Sequence, residues 1–205
     1  MRIRASFAAA MTAAVAALGG AAGAQPSVPG SAATVAIVAP DLPPAPFRVA
    51  PPGSVFQFGK TKVVVGKVDG FFASYTSNGT PRTTSLVASR DREQLTGDNL
   101  AEFSKIWPLT VGKSVHYHRY EARGGSRSWS DDVTVVGTET LQIGDKPIDT
   151  YLVRWNSKGD NRGNTWEATA TNWYAPSLGW VVKLQGYDNY GTREDDHVVA
   201  YELAP

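Results

Sequence analysis

The 205-residue chain reads as a mainly β protein, a curved antiparallel meander of half-barrel, barrel or sandwich form with one short helix near residues 98–107. Three features of the text predict this. After Gly53, apolar and polar residues alternate with a period of two, as half-buried strands require. Turn residues break the alternation at short, regular intervals. A single segment carries the three- and four-residue spacing of a helix.

Taken in order, the expected strands are Ser54 to Phe58, Lys62 to Val68, Phe71 to Thr76 and Thr83 to Ser89, followed beyond the helix by Ser114 to Arg123, Ser128 to Gln142, Lys146 to Asn156, Asn164 to Ala175, Gly179 to Tyr190 and Glu194 to Leu203. Their connections include Val68-Asp69-Gly70, Ser77-Asn78-Gly79, Gly124-Gly125, Ile143-Gly144-Asp145 and Gly159-Asp160-Asn161. Each supplies a Gly or Asn for the positive φ of a tight hairpin turn. In the helical segment Leu100, Phe103 and Trp107 form one apolar stripe, Thr96 or Asp98 is available as the N-cap, and Pro108 ends the run. The helix divides a smaller N-terminal group of strands from a longer C-terminal one.

The residues before Gly53 follow other rules. Met1-Arg2-Ile3-Arg4 is a basic start, Ala5 to Leu18 is apolar and uncharged, Gly19-Gly20 breaks the helix, and Ala22-Gly23-Ala24 offers small residues for a signal peptidase. Residues 1–24 are therefore expected to be a cleaved signal peptide, with Gln25 as the new N-terminus. The apolar run is too short and too rich in alanine for a retained anchor, so no transmembrane segment is expected after cleavage. Residues 25–52 are rich in Pro and Ala, with Pro40, Pro43, Pro44, Pro46, Pro51 and Pro52 crowding the second half. Proline fixes φ and removes amide donors, so this tract is expected to be an extended linker. Residues 53–205 are expected to form a single β domain working in the periplasm or outside the cell.

Composition narrows the function classes. The chain has no cysteine, which excludes a lipid-anchoring cysteine and a disulfide framework and leaves apolar burial to hold the fold. Setting Arg2 and Arg4 aside with the leader leaves 18 basic residues against 19 acidic ones, interspersed in sequence. No basic field favours nucleic acid as a partner.

Catalytic signatures are absent: there is no Gly-x-Ser-x-Gly elbow, no cysteine nucleophile and no phosphate loop. Carboxylates such as Glu121, Asp131, Asp132, Glu139, Asp149 and Glu167 follow no paired spacing. No cofactor is called for. His116-x-His118 is the metal lead, because alternate residues of a strand share a face, and His197 beside Asp195 and Asp196 is the candidate third ligand. Trp129, Trp155, Trp166, Trp173 and Trp180 all fall in the C-terminal strands. Such rings either fill the interior of a curved sheet or line its open concave face against an apolar or sugar-stacking ligand.

The C-terminal half carries Trp107-Pro108-Leu109-Thr110-Val111-Gly112-Lys113, Trp173-Tyr174-Ala175-Pro176-Ser177-Leu178-Gly179-Trp180-Val181-Val182-Lys183 and Tyr201-Glu202-Leu203. In these motifs it resembles an uncharacterised family of exported bacterial β-rich domains of unknown function. The resemblance implies an architecture and no catalytic residue. Pro176 and Gly179 would shape a turn across which Trp173 and Val181 face each other. Three functional readings follow. The preferred one is a non-catalytic binding or structural protein of the envelope, with a small apolar ligand or lipid on the concave face. The others are a hydrolytic or metal-dependent enzyme using His116, His118 and His197, and an assembly factor that binds an envelope protein through a sheet edge.

Overall fold

The structure, a computed structural model, describes residues 40–88, 95–121, 127–161 and 164–205. The expected leader and the first part of the Pro/Ala-rich tract lie outside the described residues.

Alternation sets the faces of the strands. Along one long strand Tyr151, Val153, Trp155 and Ser157 are buried while Arg154, Asn156 and Lys158 between them are exposed. Hydrogen bonding across such strands makes a single antiparallel sheet of ten. They are β1 (Val55–Phe58), β2 (Thr61–Asp69), β3 (Phe72–Ser77), β4 (Thr80–Thr84), β5 (Ser114–Glu121), β6 (Arg127–Ile143), β7 (Lys146–Asn161), β8 (Asn164–Ala175), β9 (Trp180–Asp188) and β10 (Arg193–Glu202). The order across the sheet is β4-β3-β2-β1-β10-β9-β8-β7-β6-β5. Two meanders are thus joined where the first strand pairs with the last. The sheet is not closed into a barrel, and β4 and β5 are its ends.

The sheet curls. The hairpin of β6 and β7 runs past the end of β8, with a bulge between Val135 and Gly137. Lys146, at its tip, places its ammonium 5.5 Å from the Tyr201 ring centre on β10, although β8 and β9 lie between β7 and β10 in the sheet.

Helix α1 (Gly97–Ser104) and two irregular segments fill the inner face. Thr96 holds the N-cap position with extended backbone and makes no side-chain cap bond, while Asp98 stands in the first turn where the helix dipole favours an acid. Phe103 is fully buried, edge-on to Tyr117 at 6.1 Å.

From Pro40 the proline tract, expected as a linker, is strapped to the sheet. Ala45 and Leu109 exchange backbone bonds of 3.0 and 2.8 Å, and the Ala50 amide donates to the Gly179 carbonyl at 2.9 Å. Tyr151 reaches the Pro43 carbonyl at 2.7 Å and Tyr174 the Arg48 carbonyl at 2.8 Å. Phe47 lies edge-on to Phe71 at 5.0 Å and to Trp107 at 5.2 Å. Burial pushes the Tyr174 hydroxyl up to about 12, against the favourable effect of Arg48.

Three details differ from the sequence reading. Asn78 and Gly79 both take positive φ and make a two-residue turn, so β4 resumes at Thr80 and not at Thr83. Pro81 is tolerated because β4 is an edge strand. The chain then leaves the sheet, and Leu86, Val87 and Ala88 dive into the core. Second, Gly159-Asp160-Asn161 is not a turn: β7 continues to Asn161, and Gly159 pairs with both Trp129 and Trp166. Third, Val181 faces Tyr174, and Trp173 faces Lys183, a bulge between Trp173 and Tyr174 moving its partner one residue on from Val182.

Candidate functional site

The five tryptophans form separate groups. Trp180 stacks on Phe56 at 5.5 Å and meets Tyr75 edge-on at 5.8 Å, inside the core. Trp173 is buried, donates its indole N–H to the Glu139 carboxylate, and has the Lys183 ammonium 4.3 Å from its ring. Trp155 and Trp166 lie 6.2 Å apart. Trp129 lies flat on Gly159, where a methyl group would come within 2.1 Å of the indole. Its ring is covered by the Arg119 guanidinium at 4.9 Å, which in turn pairs with the buried Asp131 carboxylate. Trp173, alternating with the inward Asn172 and Tyr174, lies on the other face; on the inner side the remaining rings, the strap and the helix occupy the places a concave-face ligand would take.

The opposite face carries a groove of about 880 Å³ across β7 to β10. Strand register builds it in two rows, Arg154-Thr171-Gln185-Asp195 and Asn156-Thr169-Tyr187-Arg193, each made of residues directly opposite one another on neighbouring strands. Asn156 accepts from the Thr169 hydroxyl at 2.9 Å, and Gln185 donates to Asp195 at 3.1 Å. Among the described residues the guanidinium groups of Arg154 and Arg193 have no carboxylate partner. Tyr187 is 63% exposed, and Tyr190, in the turn at one end, is 60% exposed.

That turn is locked by Asp188, which accepts from the Tyr190 amide at 3.0 Å and the Thr192 amide at 2.9 Å. Burial opposes its ionisation, but the hydrogen bonds from Thr192, Tyr190 and Trp166 prevail and hold its carboxyl below the ordinary value. Glu194 faces Gly186 across the strand pair. Burial, then the nearby charges of Asp196 and Asp188, push its carboxyl above its ordinary value of 4.5. A raised carboxyl contributes stability below the unfolded value and loses it as pH rises through the folded one. Glu194→Gln is therefore expected to raise the melting temperature at pH 7 and leave it nearly unchanged at pH 4. An equal shift at both pH values would contradict this electrostatic origin.

On the same face of the edge strand β5, His116 and His118 converge. Their Nε2 atoms are 3.2 Å apart, the Nδ1 of His116 lies 2.7 Å from the Asp132 carboxylate, and the Ser130 hydroxyl is 3.5 Å from His116 Nε2. Asp132 and Ser130 are the register partners of His116 and His118 on β6. His197 does not join them: it sits on β10 opposite Lys183, with four strands between β10 and β5.

The groove residues escaped the sequence reading because polar side chains at period two look like an ordinary solvated face. The available signal was an aromatic at Tyr187 within a run of planar amide and guanidinium groups on adjacent strands. Asp132 escaped because its proximity to His116 is a cross-strand relation.

No family model matches the chain, and no curated protein matches it. Solved structures do. The hypothetical lipoprotein YmcC from Escherichia coli K12 is 14% identical, with 71% of this chain and 82% of that one covered and a TM-score of 0.41. A candidate exported protein with a YmcC-like fold from Bacteroides fragilis is 14% identical, covering 77% and 99%, at 0.35. A candidate lipoprotein from Parabacteroides distasonis is 11% identical, covering 78% and 100%, at 0.38. No residue role is carried over from them. No described helix is long and apolar enough to cross a membrane.

Proposed function

We propose that this chain is an exported, non-catalytic binding protein that holds a polyhydroxylated ligand of saccharide type in the groove across β7 to β10. One observation carries the reading: an exposed tyrosine face, Tyr187, lies in a row with Asn156, Thr169 and Arg193 and beside Arg154, Gln185 and Asp195. Sugars present apolar C–H faces and paired hydroxyls. An aromatic ring packs on the first, and planar amide, carboxylate and guanidinium groups bond the second in pairs. The groove's volume falls in the ordinary range for ligand sites. The filled inner face argues against an apolar ligand there. Export rests on the leader-like residues 1–24, and cleavage after Ala24 is checked by the N-terminal mass of protein recovered from its host.

The ligand reading is tested on an array of neutral, amino and uronic-acid oligosaccharides. Wild-type protein is expected to retain a subset, and Tyr187→Ala and Arg154→Ala each to weaken retention about tenfold or more, the effect of losing a central anchor at an interface. Because both side chains are exposed, the melting temperature should not move. Retention of no saccharide, together with a fatty acyl chain co-purifying from the host, would replace this reading with the apolar one.

A further inference from the structure

We infer that His116 and His118 form a two-histidine chelate for a borderline divalent metal ion, copper(II) most tightly and zinc(II) after it, with Asp132 as the group that orients His116. This site is on β5 and independent of the groove.

The geometry carries the inference. Adjacent outward positions on a strand bring two imidazoles side by side, but only particular rotamers aim both Nε2 lone pairs at one point. Here the rings are nearly perpendicular, at 84°, with centroids 4.7 Å apart and the Nε2 atoms 3.2 Å apart. Two imidazole nitrogens at tetrahedral positions around an ion, each at about 2.0–2.1 Å, are separated by about 3.3 Å. The nitrogen pair therefore already stands at the spacing that a tetrahedral ion requires, and a tetragonal copper(II) ion, with cis nitrogens about 2.8 Å apart, is reached by a small rotation of these exposed rings.

The third group fixes the tautomer. With the Asp132 carboxylate accepting at His116 Nδ1, the ring carries its hydrogen on Nδ1 and leaves Nε2 as a lone pair directed at His118. A carboxylate on the far nitrogen of a ligating histidine fixes ring orientation and raises basicity, the arrangement common to histidine metal sites. Asp132 comes from β6 by direct register with His116, so the sheet itself holds the triad. The Ser130 hydroxyl lies on the same side and can take an ion-bound water.

Metal choice follows from the donors. Imidazole suits copper, nickel and zinc, and affinity rises to copper along the first-row series before falling at zinc. The His116 and Asp132 side chains are 50% and 55% exposed, so the remaining coordination positions open to solvent at the edge of the sheet. The ion is thus exchangeable and can accept a ligand from outside.

The test uses tag-free protein titrated calorimetrically with copper(II) chloride and, separately, zinc chloride, with electron paramagnetic resonance on the copper sample. One ion per chain is expected, with copper bound more tightly and its spectrum showing nitrogen coupling. Substituting His116→Ala or His118→Ala should abolish the site, while His197→Ala should leave it intact. Asp132→Asn should weaken binding by about tenfold or more, the usual consequence of losing such a partner. The side chains are exposed, and unchanged melting of the metal-free variants verifies that the fold is kept. A stoichiometric site that survives in the His116→Ala/His118→Ala double variant, or wild-type protein that takes up neither ion, overturns the inference.

Discussion

Asp131→Ala is expected to destabilise the protein by about 3–5 kcal/mol, the effect of removing one partner from a buried ion pair. Asp131 is fully buried and Arg119 nearly so, and the two side chains meet on the inner face beneath Trp129. Without the carboxylate, the guanidinium stays in a low-dielectric site with its charge uncompensated. It must either leave, taking the cation–π contact with Trp129, or draw water into the core. Replacing both partners, as in Arg119→Met with Asp131→Leu, removes the charge together with its partner and should recover most of the loss. Urea unfolding of the two single variants and the double variant measures this. A single-variant loss below about 1 kcal/mol would show that the pair is hydrated and not buried as described.

Gly179→Ala is expected to lose about 3 kcal/mol from two separate sources. The φ of Gly179 is +63°, a conformation that a residue with a side chain adopts only under strain. An added Cβ would also come within 2.6 Å of the Ala50 amide nitrogen and 2.7 Å of the Val49 carbonyl carbon, which are backbone atoms and cannot rotate away. The strap must therefore shift, breaking the bond from the Ala50 amide to the Gly179 carbonyl. Gly144→Ala separates the sources: its φ is +61° with nothing within 4 Å, so it carries backbone strain alone. Gly179→Ala should also speed tryptic cleavage after Arg48, and Gly144→Ala should not. Equal melting shifts and equal cleavage in the two variants would rule out the collision with the strap.

Much of the strand layout was legible because period two is a local property. The edges of β8, Asn164 and Ala175, were read to the residue, the second of them marked by Pro176 immediately beyond it. Gly159 shows the limit of that logic. A glycine followed by Asp and Asn looks like a turn, yet here it is a mid-strand position kept small by the Trp129 ring lying on it. Trp173 shows another: one bulged residue exchanged its cross-strand neighbour. The tyrosines that hold the strap, Tyr151 and Tyr174, are more than a hundred residues from the carbonyls they bond, and nothing in the local text marks them.

Of the site, His116 and His118 were legible as a pair because both lie on one strand. Asp132 was within reach only through the β5–β6 register, and the exclusion of His197 only through the order of the sheet.

The sequence by itself determined a thiol-free chain of antiparallel strands with one helix between two groups of strands, because alternation, turn residues and capping act over a few residues. Only the tertiary structure decided that the first and last strands join into one open sheet, that the proline tract packs back across it, and that the polar residues of four strands assemble a groove. Those outcomes depend on register and on contacts between distant segments, where a shift of one residue turns a side chain to the other face.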